Sequence, residues 1–225
     1  IDFELGWTYR DPNYYLNTNL YWMEYFDELV KSGRLDIFGS PITGNAPRTR
    51  HFGLEIVSSY QRELGSAGII KLSGNATISR NQIIEYDYIT ADGTEVSLAD
   101  NPIAGFPDFM AYLSLAYQAG DFHTSIGMKH VGEFRTDNFG DMLQTNEAIQ
   151  NDLTGDFYYD NLLEAYTVFN MNISYTFKDI FSFKTLKLHG QINNMFDKLY
   201  AAGGEGKEFF PAAERNFFFM VELGL

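Results

Sequence analysis

The sequence predicts an all-β protein, an antiparallel up-and-down transmembrane β-barrel of which this chain supplies nine strands. Three observations predict it. Apolar and polar residues alternate in segments of about ten, the period that sends neighbours to opposite faces of a sheet. The connections between segments are sorted into short and long, as in a barrel with tight turns on one side of a membrane and long loops on the other. The apolar stripes end in aromatic residues at a spacing that fits the apolar band of a bilayer.

Each segment has its own apolar row, read in chain order. Phe3, Leu5, Trp7 and Tyr9 alternate with Asp2, Glu4, Gly6 and Thr8. Leu16, Thr18, Leu20 and Trp22 follow, then Phe52, Leu54 and Ile56, then Ile70, Leu72, Gly74, Ala76 and Ile78. Leu113, Leu115 and Tyr117 make the fifth row, and Phe122, Thr124, Ile126 and Met128 the sixth. The seventh is the clearest, with Phe169, Met171, Ile173, Tyr175 and Phe177 against Asn170, Asn172, Ser174 and Thr176. Leu186, Leu188, Gly190 and Ile192 precede a last row of Phe217, Phe219, Val221, Leu223 and Leu225. A helix would scatter these residues around its axis. Tyr14 and Trp22 share a face eight positions apart. At roughly 3.4 Å per residue and a tilt of about 40° they span about 21 Å, against an expected band of roughly 25 Å edged by aromatic girdles.

The tight connections are residues 10–13, 64–68 and 120–121, with 178–184 moderate, and the long ones are 31–49, 88–107, 136–161 and 201–214. The short set belongs at the periplasmic end and the long set outside. Bacterial single-chain barrels have an even strand number, so nine strands are part of a barrel and should leave open edges. The N-terminus, Ile1-Asp2-Phe3-Glu4-Leu5, reads as the middle of a strand rather than a signal peptide. At 225/9, or 25 residues per strand with its connection, a 22-stranded plugged barrel needs roughly 550 residues. Residues 1–225 would then be its C-terminal nine strands, with the plug domain and earlier strands outside the chain.

Composition excludes several classes. Aromatic residues are 16%, charged residues 20%, and the net charge is −14 with pI ≈ 4.5. No nucleic-acid partner is expected of so acidic a chain. The absence of Cys removes disulfide scaffolds and thiolate metal sites. No run of about 18 apolar residues offers a transmembrane helix. There is no G-x-S-x-G, H-E-x-x-H or P-loop, so no enzyme is expected. Gly203-Gly204-Glu205-Gly206-Lys207 lacks Walker spacing and reads as an outer loop. The four histidines, His51, His123, His130 and His189, are scattered, and His123 and His189 fall on polar faces.

Two stretches carry a family resemblance. Tyr21-Trp22-Met23-Glu24-Tyr25-Phe26-Asp27-Glu28-Leu29-Val30 leads towards Gly44-Asn45-Ala46-Pro47-Arg48-Thr49-Arg50-His51-Phe52-Gly53-Leu54-Glu55. Ile192-Asn193-Asn194-Met195-Phe196-Asp197-Lys198-Leu199-Tyr200 leads to a terminal strand that includes Arg215 and Phe217. Both resemble the C-terminal barrel region of TonB-dependent outer-membrane receptors of the siderophore-receptor kind. The second is the more specific, through Asn193, Asn194, Phe196, Asp197 and Lys198. Members of that family usually end in an aromatic residue, whereas this chain ends in Leu225. The resemblance implies active, TonB-coupled uptake of a scarce nutrient across a bacterial outer membrane, with a ferric siderophore or other metal chelate first. A passive porin-type channel, or a receptor of the same fold for oligosaccharide or cobalamin, is the alternative. It also implies TonB as a partner through the plug, and presentation of Phe217, Phe219, Val221, Leu223 and Leu225 to the barrel-assembly machinery.

Charge supplies the remaining candidates. Asn193 and Asn194 fit a turn or bulge where a strand leaves the membrane, and Asp197–Lys198 form an adjacent opposite-charge pair at the rim. An anionic ferric chelate would need basic partners, for which Arg48, Arg50, Arg135 and Lys207 are the candidates. Residues 133–164 hold eight acidic residues against Arg135, and 85–108 hold six with no base, so these stretches contribute −7 and −6. They read as solvated, mobile outer loops, bridged by divalent cations to lipopolysaccharide, or as a Ca²⁺ site among Asp152, Asp156 and Asp160. No other cofactor is expected.

Overall fold

In the computed structural model, residues 1–35, 41–153, 158–180 and 182–225 are described. The strands are β1 (Asp2–Arg10), β2 (Tyr14–Leu35), β3 (Pro41–Glu63), β4 (Ile69–Glu85), β5 (Asp87–Ile89), β6 (Glu95–Ser97), β7 (Phe109–Ala119), β8 (Phe122–Val131), β9 (Phe134–Arg135), β10 (Leu162–Leu163), β11 (Tyr166–Ile180), β12 (Phe183–Asn193), β13 (Ala201–Glu205), β14 (Glu208–Pro211) and β15 (Asn216–Gly224). Two short helices, α1 (Met142–Thr145) and α2 (Glu147–Leu153), lie between β9 and β10. Nine strands form one sheet in the order β1-β2-β3-β4-β7-β8-β11-β12-β15, every pair antiparallel. These are the nine that the alternation predicts, joined in sequence order.

The register turns nine separate alternations into two continuous faces. Directly paired residues share a face. Tyr14, Tyr60, Leu72, Leu115, Ile126, Met171, Ile192 and Phe217 are linked pair by pair from β2 to β15. On the opposite face Tyr15, Ser59, Ser73, Ser114, Gly127 and Asn170 are linked the same way. A slip of one residue at any pair would exchange the two rows, so the agreement across the sheet fixes the assignment. The apolar row faces outward and stays exposed, with Ile173 at 44% and Phe219 at 67%. An isolated soluble sheet would have to bury such a surface.

The sheet does not close: β1 and β15 are its edges, each paired on one side only. The tight turns lie at one end and all four long connections at the other, as expected. The long connections differ from simple loops. Residues 31–49 are not a loop throughout: β2 runs on to Leu35 and β3 begins at Pro41, with a register shift between Lys31 and Arg34. Alternation fades there because both faces of this extension lie beyond the apolar band and meet water or other loops. Residues 88–107 hold the β5–β6 hairpin, and 136–161 hold both helices.

These outer segments share a hydrophobic core of their own. Val30 and Ala46 from the β2–β3 extension, Ile83 from β4, and Val96, Leu98 and Ile103 pack with Phe139, Leu143, Ile149, Leu153 and Tyr158. Segment 136–161 is therefore a packed part of a cap and not the open acidic loop expected of its charge. Asp141, Glu147 and Asp160 sit at the surface, Asp137 is buried, and Phe139, Leu143, Ile149 and Leu153 turn inward.

Candidate ligand site at the outer mouth of the barrel

The inward face of β2, β3, β4 and β7 meets the underside of this cap in a cavity of about 540 Å³. Its wall includes Glu4, Asn19, Tyr21, Met23, Glu55, Thr77, Ser79 and Met110, and Gly105, Phe106 and Pro107 close it from the β6–β7 connection. The register explains the set: Asn19, Glu55, Thr77 and Met110 are successive inward partners. Gly53 is in the same inward series, and a Cβ there would lie 2.5 Å from the Ile78 carbonyl oxygen and 2.7 Å from Tyr21 Oη. Glycine lets the Tyr21 ring lie across the wall.

A hydrogen-bonded cluster closes the upper rim. Asp27 has a left-handed φ of 55°, opposite Pro47, which has no N–H to offer. Past this irregularity Glu28 turns towards the cavity. Its Oε2 lies 3.1 Å from His51 Nε2 and accepts from the Thr49 hydroxyl. His51 Nδ1 lies 2.8 Å from Asn81 Oδ1, and Asn81 Nδ2 donates to Ser79 Oγ at 3.1 Å. Both ring nitrogens thus face acceptors, which matches an imidazolium against the Glu28 carboxylate. Tyr25 meets the His51 ring edge-on, and Phe106 lies 5.2 Å from it between centroids. His51 is 6% exposed.

Asp137 is the hub of the cap. It is fully buried, accepts from the Phe139 N–H and Asn161 Nδ2 at 2.8 Å each, and accepts from the Tyr158 hydroxyl. Burial holds its carboxyl above the usual carboxylate range, against the pull of these donors. Burial, with the neighbouring Asp137 charge, likewise holds the Tyr158 phenol protonated. Asn138 next to it joins three segments: Nδ2 donates to the Lys31 carbonyl, the side-chain oxygen accepts from Ala104 N–H, and its carbonyl accepts from Asn101. The β13–β14 hairpin joins through Thr136, which donates to the Gly206 carbonyl at 2.6 Å, and through a 2.6 Å ion pair between Lys31 and buried Glu205. All four long connections are thereby tied together.

The predicted site residues are dispersed. Arg48 and Arg50 do not reach the cavity: they lie on the outward face, where both pair with buried Glu24 at 2.9 and 2.5 Å. Arg135 lies in the cap, paired with Asp141 and donating to Asn161 Oδ1. Lys207 sits in the turn between β13 and β14. Asp152 accepts from Tyr88 Oη and from the Ala91 N–H, Asp160 caps the Leu162 N–H, and Asp156 lies outside the described residues. Among the described residues no group of three His, Asp or Glu side chains could hold a metal ion. His123 and His189 flank Ser174 on the inward face, one strand to either side of β11.

The Asn193–Lys198 motif is a folding device. Asn194 takes φ 49° and holds the Lys198 N–H and carbonyl with its amide, while Asp197, at φ 56°, accepts from the Arg215 N–H. The partner of Asp197 is thus Arg215 rather than the adjacent Lys198. Asn193 Nδ2 donates to Asn216 across the β12–β15 pair, and Phe196 packs edge-on against Phe169. Phe217, Phe219, Val221 and Leu223 form the exposed outward row of β15, with Leu225 beyond it.

Sequence reasoning missed Glu28, Asn81, Phe106 and the Thr136–Asn138 hub. The available signal was local: an Asp, a residue that tolerates left-handed backbone, directly before Glu28 and opposite a proline within an alternating strand.

The geometry defines the class first: an open stretch of barrel wall with an apolar outer face, a polar inner face, and a jointly packed cap over a cavity at one mouth. Residues 2–195 match the model of TonB dependent receptor-like β-barrels, and the chain belongs to that family. Among solved structures, the siderophore receptor PiuA from Acinetobacter baumannii is similar at 15% identity and TM-score 0.67, over 98% of this chain and 28% of that one. The ferric citrate transporter FecA is similar at 16% identity and TM-score 0.68, over 98% and 30%. The copper transporter OprC is similar at 20% identity and TM-score 0.64, over 99% and 30%. The chain thus spans under a third of the length of these proteins. At such identities the likeness shows the fold. No curated protein matches the chain.

Proposed function

We propose that this chain is the C-terminal barrel wall of a bacterial outer-membrane receptor for active, TonB-coupled uptake of a scarce nutrient, with a ferric siderophore or other metal chelate as its substrate. The observation that supports it most is the capped cavity: a site at the outer mouth, roofed by four connections packed as one body, can bind a ligand and release it when the cap rearranges. Family membership favours this over a passive porin. TonB would act through the plug, the barrel-assembly machinery through the β15 edge, and lipopolysaccharide would surround the outer rim.

A second reading has a specific observation behind it. The described lining of the cavity carries no Lys or Arg, and its only cationic group is His51 beside Glu28. Tyr21, Tyr25, Phe106 and amide groups suit an uncharged ligand such as an oligosaccharide or cobalamin. Tyrosine fluorescence of the full-length receptor, titrated with ferric citrate, a ferric catecholate, a ferric hydroxamate, cobalamin and a maltooligosaccharide, separates them. Ferric chelate binding weakened by up to about tenfold by Tyr25→Ala is expected, the size of one lost aromatic contact. Saturable binding of cobalamin or the sugar alone would replace the chelate reading.

We also infer a role for calcium at Asp152, Asp156 and Asp160, where it would have to displace the Tyr88 and Ala91 contacts. Hydrogen exchange over residues 136–161 should slow in Ca²⁺ beyond ionic-strength-matched Na⁺. Equal protection in both salts removes the site.

A further inference from the structure

The tip of the β6–β7 connection is built like a lid on the cavity. One end of it is fixed: the Ile103 N–H donates to the Asn81 carbonyl at 3.1 Å and the Ala104 N–H to Asn138 Oδ1 at 2.9 Å, and both residues are buried. The other end is fixed where the Ser79 N–H donates to the Asp108 carbonyl at 2.9 Å. Between these anchors Gly105, Phe106 and Pro107 cross the cavity. Gly105 takes a left-handed φ of 84°, which glycine adopts without strain. Its N–H donates to the Arg135 carbonyl at 2.8 Å. Phe106 is still 44% exposed, and its ring rests on His51.

That seat depends on charge. The Phe106 and His51 centroids are 5.2 Å apart, within the roughly 6 Å over which a cation is drawn to an aromatic ring. The attraction lasts only while the imidazole is protonated. Glu28 and Tyr25 from β2, Asn81 from β4 and Phe106 from the lid surround the ring, and Thr49 reaches it through Glu28. Glu28 carries the formal charge among them. Both ring nitrogens face acceptors, Glu28 Oε2 and Asn81 Oδ1, and the Asn81 amide is held that way round by its bond to Ser79. A neutral imidazole has one N–H to give. Loss of the proton therefore sets a lone pair against Glu28 or Asn81 and removes the charge beneath Phe106. One proton loosens both contacts, and Asn81 also holds the lid through Ile103.

We propose that Gly105, Phe106 and Pro107 form a proton-operated lid: a charged His51 seats Phe106 over the cavity, and a neutral His51 lets the tip lift about its two anchors and open it. His51 is then a positioning residue, acting on a ligand through Phe106. The proposal rests on the reading of the cavity as the ligand site. The position of the lid is measured without ligand, so the lid and the ligand site fail separately.

The experiment is fluorine NMR of the ligand-free, full-length receptor in detergent, with 4-fluorophenylalanine in place of Phe106, titrated from about pH 5.5 to 9.5, the range that brackets an imidazole. The resonance of the seated ring should dominate at the acid end and give way to a second, lifted resonance as pH rises. Glu28→Gln removes the anion that favours the imidazolium and should move the midpoint down by about one to three pH units. Tyr25→Phe should leave the midpoint in place, which separates the imidazole from the neighbouring phenol. His51→Gln should show the lifted resonance at every pH. A resonance that does not change with pH in the otherwise unmodified receptor overturns the proposal without recourse to any variant. An unmoved midpoint in Glu28→Gln, or a ring still seated and titrating in His51→Gln, overturns it as well.

Discussion

Gly53 occupies a position where side-chain size decides the shape of the wall. Gly53→Ala would drive a methyl group against the Ile78 carbonyl oxygen and the Tyr21 ring. The backbone oxygen cannot yield, so Tyr21 and the strand must both shift, at a cost of about 1–3 kcal/mol. Ligand binding at the cavity should fall with little loss of barrel assembly, read by ligand titration and heat-modifiable gel mobility of the full-length receptor. Asp137 is the corresponding residue in the cap. Asp137→Ala leaves the Tyr158 hydroxyl, Asn161 amide and Phe139 N–H without their acceptor, at about 1–3 kcal/mol for each group left buried and unpaired. Limited proteolysis should then cut within residues 136–161 while the strands stay protected. The raised Asp137 carboxyl adds a pH dependence. Its contribution to cap stability is fully present below the unfolded carboxylate value and is lost as pH rises through the folded one. Proteolysis of the cap should therefore accelerate as pH rises above the ordinary carboxylate range, and Asp137→Asn should flatten the profile.

At the scale of elements, the strands inside the apolar band were legible because two solvents act on them. Lipid outside and water inside impose a period of two, and the row from Tyr14 to Phe217 is written in that period. Beyond the band the constraint stops. The outer halves of β2 and β3 carry no lipid face, so their pairing, which runs for 19 partners in all, leaves no alternation to read. Residues 136–161 show the same limit from the other side: their charge was conspicuous, while the partners of Phe139, Leu143 and Ile149 come from segments up to 100 or so residues away in sequence. Arg48 and Arg50 share the strand parity of Phe52, which by itself assigns them to the outward face. The Asn193–Lys198 motif was recognised by resemblance, and the structure gives its reason, two left-handed residues in one turn.

Over the whole molecule, the sheet has two faces and two ends. The faces separate lipid from lumen, and the ends separate tight turns from a jointly packed cap. The open edges at β1 and β15 call for the remaining barrel wall, so every test belongs in the full-length receptor. The faces are the central claim, and adjacent substitutions in β11 test them most directly. Ile173 is outward, between Thr124 and Gly190, and Asn172 is inward, between Ser125 and Gln191. Reversible folding of the full-length receptor into bilayers should show Ile173→Arg destabilising by about 2–4 kcal/mol, the cost of an arginine near the midplane, and Asn172→Arg costing little because the lumen is wet. Equal costs at the two positions, or the larger cost at Asn172, would contradict the account.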